Sequence, residues 1–273
     1  MAIHVGCGSW TDAVYTGVLY PPGLPAGKRL NAYSQRFEHV EVNSTYYAAP
    51  RAKVTAGWVK QTPPGFIFHI KLHRSFSQSP HRATEGEGVN RLLAGVAPLV
   101  EAERLGVFLL VLSPSFTPAR HRIEELDALA SKLQPHALAV ELRDRDWVKG
   151  KAREQTLAYF RARRLVWVAV DMPRIAASAL MPAVDEVTRP DLAYIRLHGR
   201  NPGYTRAKTA AERHTYDYTR GDLGQLVKRV KSLADRAEQV HVVANNHAED
   251  FAPKAALELQ RLLRSRVSST AKQ

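Results

Sequence analysis

The sequence is poor in sulfur: its 273 residues include one cysteine, Cys7, and three methionines. A single thiol excludes an intramolecular disulfide and any multi-thiolate zinc or iron–sulfur centre within the chain, and it fits a reducing compartment. Long apolar runs are also missing. No uninterrupted stretch approaches the roughly 20 residues that span a bilayer. The opening residues Met1-Ala2-Ile3-His4-Val5-Gly6 carry neither the basic segment nor the apolar run of a secretory signal. A cytoplasmic protein without a membrane partner is expected. No Gly-x-Gly-x-x-Gly element follows the first β-like run, which removes the main support for a dinucleotide-binding open sheet. No internal repeat, low-complexity linker or composition shift marks a second domain. Acidic residues are scarce, with 26 Asp and Glu against 39 Lys and Arg, a net charge of +13. That excess favours an anionic partner, whether nucleic acid, a phosphorylated or carboxylated metabolite, or an acidic surface, without choosing among them. At 45% hydrophobic and 24% charged residues the chain has the composition of a folded protein.

What is present is alternation. Short β-branched runs at 3–8, 38–43, 66–71, 106–112, 137–143, 166–171, 193–198 and 240–245 are separated by helical patterns at 30–36, 52–60, 88–103, 119–133, 151–164, 222–237 and 253–264. Eight such units at this length predict an α/β fold, a single (β/α)8 TIM-type barrel over residues 1–264, because such barrels run to about 250 residues. Residues 265–273 are expected to form a frayed basic tail. The long loops 9–29, 73–87 and 199–220 all follow strand ends, the catalytic face of such a barrel.

Successive strand residues point to opposite faces, so each strand divides into a helix-facing and an interior set. Val40 and Val42 send Glu41 and Asn43 inward. The same alternation selects His69 and Lys71, Glu141 and Arg143, Arg196 and His198, and Asp171 beside Val168 and Val170. Asn245 and His247 join them if Val243 also faces the interior. Barrel interiors are ordinarily apolar, and burying charge is costly, so this cluster calls for an explanation.

One explanation is a self-compensating network, since Glu41, Glu141 and Asp171 match Lys71, Arg143 and Arg196 by count. The other is a site. Two carboxylates can act as acid and base, and carboxylates with His198 and His247 can ligate a divalent metal. The three cations suit an anion better, because guanidinium forks match carboxylate or phosphate and lysine adds a compact charge. No metal ligands are assigned, and the sequence requires no cofactor. Cys7 falls on the helix-facing side with Ile3 and Val5, as a buried structural thiol does. Gly6 and Gly8 permit close approach of chain or ligand near Ser9 and Trp10. Arg161-Ala162-Arg163-Arg164 and Arg120-His121-Arg122 read as solvated basic faces. Tyr204, Tyr216 and Tyr218 interleave with Arg206, Arg213 and Arg220, a pattern that serves either nucleic-acid binding or an ordinary amphipathic loop.

Several of these segments together form a signature. Gly6-Cys7-Gly8-Ser9-Trp10, Val40-Glu41-Val42-Asn43-Ser44-Thr45-Tyr46-Tyr47, Ala139-Val140-Glu141-Leu142-Arg143 with Trp147, Tyr194-Ile195-Arg196-Leu197-His198-Gly199 and Asn245-Asn246-His247 closely resemble the motifs of the domain of unknown function 72 family, also called YecE-like. The resemblance runs from about Ile3 to Leu263. It implies a TIM-type barrel and a family without an established activity, and it points to Asn246 besides the residues selected by alternation. The family's Thr-His pair after the third strand is replaced here by Ser77-Gln78, and its Gln after the fourth by Val111-Leu112-Ser113-Pro114. His81 lies nearby but at a position that is not equivalent. The expectation is an enzyme performing acid–base chemistry on an anionic small molecule. Glu41, Glu141, His198 and His247 are its catalytic candidates, and Asn43, Lys71, Arg143, Asp171, Arg196, Asn245, Asn246 and Trp10 its substrate-binding ones. The alternatives are a metal-dependent hydrolase or nuclease acting on phosphodiesters, and a non-catalytic nucleic-acid-binding protein.

Overall fold

β-Branched segments bounded by turn residues extend, and eight of them close into one parallel barrel in chain order. The computed structural model describes residues 1–173, 175, 180–246 and 248–265. The strands are β1 (Ala2–Cys7), β2 (His39–Val42), β3 (Ile67–Lys71), β4 (Leu105–Val111), β5 (Ala137–Glu141), β6 (Val166–Asp171), β7 (Leu192–Leu197) and β8 (Gln239–Ala244). Around them run α1 (Arg29–Ser34), α2 (Ala52–Gln61), α3 (Arg74–Gln78), α4 (Pro80–Ala83), α5 (Gly88–Glu101), α6 (Asp127–Leu133), α7 (Lys151–Ala162), α8 (Ala210–Arg213), α9 (Arg220–Ala234) and α10 (Phe251–Ser265). The expected helix at 119–133 is shorter, because a one-turn helix at Ile123–Leu126 precedes α6. The expected loop 73–87 instead holds α3 and α4, two short helices separated by Ser79.

The helices are amphipathic and cover the outer faces of the strands. In α9, Leu223, Leu226, Val227, Val230 and Leu233 are buried at helical spacing. Its start is fixed reciprocally: the Thr219 hydroxyl accepts from the Asp222 backbone N–H, and the Asp222 carboxylate accepts from the Thr219 backbone N–H.

Register decides which residues enter the barrel, because neighbours in register share a face. Glu41 lies beside His69, Lys71 beside Leu109, Val111 beside Glu141, and Arg196 beside both Val170 and Val243. Val40, Phe68, Ile70, Val140, Ile195 and Leu197 therefore meet the helices. Cys7, in register with Val40, does so too. It is fully buried, and burial pushes its thiol well above the ordinary range, as an inert structural thiol requires.

At the β1–β2 seam the two strands approach closely. A Cβ on Gly6 would lie 2.4 Å from the His39 carbonyl oxygen, so only glycine allows this approach. The Tyr33 hydroxyl bridges the seam, accepting from the Cys7 N–H at 2.7 Å and donating to the His39 carbonyl at 3.0 Å.

Toward the N-terminal end the interior holds His39, His69 and His241, whose ring nitrogens lie within 4.8 Å of one another. The register between β3 and β4 slips beside His69. There the Val107 N–H donates to His69 Nδ1 at 3.1 Å, and Gly106 leaves room for the ring. With Nδ1 accepting, the neutral ring carries its proton on Nε2 and donates to His241 Nδ1 at 2.7 Å. This histidine is thus part of the sheet's own hydrogen bonding, and its Nε2 offers no lone pair to a metal.

Candidate active site

The β2, β3, β5, β7 and β8 ladders end at Val42, Lys71, Glu141, Leu197 and Ala244, and Asn43, Arg143, His198 and Asn245 follow at the C-terminal mouth. Arg196 occupies the centre, almost completely buried. Its Nη2 and Nε donate to the two oxygens of Glu41 at 2.6 and 2.9 Å, and its Nη1 donates to Glu141 Oε2 at 2.5 Å. Tyr194 adds a hydroxyl donor to Glu41 at 3.1 Å. Burial by itself would raise both carboxyls, but Arg196 and Lys71 at Glu41, and His198, Arg196 and Arg143 at Glu141, outweigh it and hold both below the usual range. Both acids are ionised and clamped.

The polarity of the remaining network is fixed by a carbonyl. Asn43 Nδ2 donates to the Gly8 oxygen at 2.6 Å and lies 3.4 Å from Asn245 Oδ1. Asn245 therefore turns its Nδ2 to His198 Nδ1, at 3.0 Å. His198 accepts there and donates from Nε2 to Glu141 at 3.0 Å. Burial lowers its pKa despite Glu141, so the ring is neutral at pH 7. Both of its nitrogens are engaged.

Above this layer lies a cavity of about 390 Å3, large enough for a small ligand. Its lining includes Lys71, Arg143, Arg196, His198, Arg213 and His214, whereas Glu41 and Glu141 lie beneath it and contribute nothing to the wall. Arg143 is held by Tyr204, whose hydroxyl accepts from Nη2 at 2.7 Å, and its Nη1 lies 3.6 Å from Glu141. Arg143 Nε, Asn43 Oδ1 and Ser77 Oγ are buried at this cavity without a hydrogen-bond partner. Lys71 differs from Arg143 and Arg196. Among the described residues its Nζ forms no hydrogen bond or ion pair, and it sits 4.7 Å from the centre of the Tyr46 ring. Burial, reinforced by Arg196 and only partly opposed by Glu41 and Glu141, pushes its pKa down to about 8.

A family model described as "Protein of unknown function DUF72" matches residues 4–273. The chain belongs to this DUF72 family. The YunF protein of Bacillus subtilis (strain 168) is 27% identical over 256 residues, covering 90% of this chain and 89% of the relative. A DUF72 family crystal structure from Thermotoga maritima MSB8 superposes with a TM-score of 0.85 at 29% identity, covering 97% of this chain and all of that one. Another from Enterococcus faecalis V583 gives 0.85 at 28%, covering 96% and 95%. The TIM-type barrel expected of a DUF72 protein is thus present, and these relatives carry no stated activity.

The structure brings Glu41, Asn43, Lys71, Glu141, Arg143, Arg196, His198 and Asn245 together at the mouth, and it corrects three expectations. Asp171 points to the helix layer, because β6 fills the barrel with Val166, Val168 and Val170. There it accepts from Arg200, Arg229 and Tyr218, each at 2.9 Å. Trp10 does not line the cavity; it packs edge-on to Trp58 of α2, with ring centres 5.4 Å apart, and near the outward-facing Phe68. Asn246 also lies outside the cavity, donating to the Tyr216 carbonyl at 2.8 Å. His247 and the tail from 266 onward lie outside the described residues. His81 lies within 3.2 Å of Glu125 and does not line the cavity, whereas Ser77 and Gln78 do.

Tyr46, Tyr47 and His214 were not singled out by alternation, since they reach the cavity from loops. Tyr46 ends and Tyr47 caps a one-turn helix, Ser44–Tyr46, pinned by Thr45, whose hydroxyl donates to the Lys71 carbonyl at 2.6 Å. Of the Tyr–Arg loop after β7, Tyr204 and Arg213 reach the cavity. Tyr216 and Tyr218 instead anchor the loop through Asp222 and Asp171.

Proposed function

We propose that the mouth cavity is the active site of an enzyme that binds a small anionic molecule and transfers protons, in a hydrolase, lyase or isomerase reaction. One observation carries this reading. With Asp171 outside, the interior cations Lys71, Arg143 and Arg196 face two carboxylates, Glu41 and Glu141, and only the cations line the cavity. The unmatched positive charge favours an anion in a partly desolvated site, where charge-assisted hydrogen bonds are strong.

In this reading Arg143 and Arg213 hold the anion, and Asn43, Ser77 and Gln78 add hydrogen bonds. Arg196 with its two glutamates forms the rigid floor. Glu141 and Asn245 fix the orientation of His198. Lys71 is the proton-transfer group, because its ammonium is unpaired and titrates near working pH. The divalent-metal alternative finds less support in the donor set. Arg196 engages both mouth carboxylates, and the three-histidine cluster sits toward the other end of the barrel.

Thermal-shift screening against small phosphates and carboxylates tests the reading. Ligands that stabilise the wild-type protein should lose their effect on Arg143→Ala. In Lys71→Met, binding should persist while any turnover of the hit is lost. Hits that are equally effective on wild type and Arg143→Ala contradict the assignment.

A further inference from the structure

We propose that Lys71 is the covalent centre of the site, forming an imine with the carbonyl carbon of a small aldehyde or ketone that also carries a carboxylate or phosphate. The inference rests on the anion-binding reading of the cavity and names its substrate class. Three features of the geometry support it.

First, Lys71 closes β3 at the C-terminal end of the barrel, and the adjoining turn is tied to its carbonyl by Thr45, so its backbone is held while Nζ points into the cavity. Second, both acids near it are already ion-paired with Arg196. Glu41 and Glu141 are clamped by Arg196, so neither captures the lysine as an ion pair, and the Tyr46 ring covers Nζ without bonding it. A lysine that served only to balance charge would be paired with one of those acids. Third, Arg143 and Arg213 line the same cavity and supply the anion subsite that would present a carbonyl to Nζ.

The step balances within the site. The neutral amine adds its lone pair to the carbonyl carbon, the C=O π pair moves to oxygen, and a proton passes from nitrogen to that oxygen to give a carbinolamine. Expulsion of water, the leaving hydroxyl taking back through solvent the proton that the ammonium released on becoming the free amine, gives the protonated imine. The resulting cation takes the place of the ammonium, so the charge on the clamped glutamates stays compensated. An iminium withdraws electrons from the adjacent carbon, which supports proton removal or carbon–carbon cleavage there and narrows the reaction classes to lyase or isomerase. The ordinary lysine pKa is about 10.4, so a lysine titrating near 8 has a free-amine fraction at pH 7 about two orders of magnitude above that of a surface lysine.

The experiment uses the full chain with glyoxylate, an aldehyde bearing a carboxylate, and sodium cyanoborohydride at pH 7, with peptide mass spectrometry to locate reduced adducts. One adduct per chain is expected, at Lys71, forming about 100-fold faster than at other lysines. Lys71→Arg, which keeps the cation but cannot form an imine, should give none at that position. Acetate should slow the labelling, and Arg143→Ala should label no faster with glyoxylate than with the uncharged propanal. Modification spread over exposed lysines with Lys71 untouched overturns the inference. If inorganic phosphate still binds through Arg143 in that case, the anion site stands and only the covalent role falls. If phosphate binding is absent as well, both fall.

Discussion

Arg196 is the most deeply committed side chain at the mouth. One guanidinium bonds both carboxylates, Glu141 Oε1 keeps only Arg143 at 3.6 Å, and neither acid lines the cavity. Two glutamates on β2 and β5 look from the sequence like an acid–base pair, and their types and facing were legible from alternation. Their engagement with Arg196 was not, because it depends on three strands converging. Truncating one partner of such a buried pair typically costs 3–5 kcal/mol, and Glu141→Gln should lower stability by about 3 kcal/mol in urea unfolding. The same substitution removes a carboxylate that favours the Lys71 ammonium, so Lys71 should titrate below its wild-type value of about 8. NMR of 13C-methylated Lys71 measures this, and an unchanged midpoint would show that Glu141 does not act on the lysine. If the free amine is the reactive form, kcat/KM for a bound substrate should rise with pH to a plateau above about pH 8.

At the scale of elements, β6 and the strands carrying the histidines are the most instructive. In β6 the run Val166-Trp167-Val168-Ala169-Val170-Asp171 is apolar on both faces, so alternation alone does not tell which set enters the barrel. The register with β7 decides it and turns Asp171 outward. There Asp171 joins the loop after β7 to α9 through Arg200, Arg229 and Tyr218, and that loop carries Tyr204, Arg213 and His214 to the cavity. Asp171→Asn should lower stability by about 2 kcal/mol, since each arginine keeps a second acidic partner. It should also weaken anion binding at the cavity from a distance; intact binding with the lost stability would make the acid a fold residue alone.

Near the N-terminal end, His69 was legible as an interior position, and the structure adds His39 and His241 beside it. Burial pushes the His39 pKa down to about 4 and holds those of His69 and His241 well below the ordinary histidine range. Unfolded histidines titrate near 6.5, so between about pH 6.5 and 4 the unfolded chain binds more protons than the folded one. Stability should therefore be full above about pH 6.5 and fall with acidification, by up to about 1.4 kcal/mol per pH unit for each ring. The stabilising shifts of Glu41 and Glu141 are lost only at lower pH, below about 4.5. Urea midpoints from pH 7 to 4.5 measure the slope, and His39→Gln should make it shallower. A flat profile would mean that these rings are protonated in the folded state.

For the molecule as a whole, the barrel and its mouth were legible because eight short β-branched runs and a polar interior set survive any local uncertainty in strand ends. The net charge of +13 was less informative. Some arginines of the basic clusters are paired: Arg161 with Glu186, which it shares with Arg153 and Arg236, Arg163 with Asp127, and Arg122 with Glu124 at 3.9 Å. The excess over acids inside the barrel is small but concentrated, on Lys71 and Arg143 at one cavity. On this reading the surface steers and the interior binds. Calorimetric titration with inorganic pyrophosphate at physiological ionic strength tests this separation most directly, comparing wild type with Arg143→Ala and with the surface variant Arg161→Ala/Arg163→Ala/Arg164→Ala. The account predicts one site per chain, abolished in Arg143→Ala and retained in the surface variant. Binding that survives Arg143→Ala and disappears with the surface arginines would contradict it.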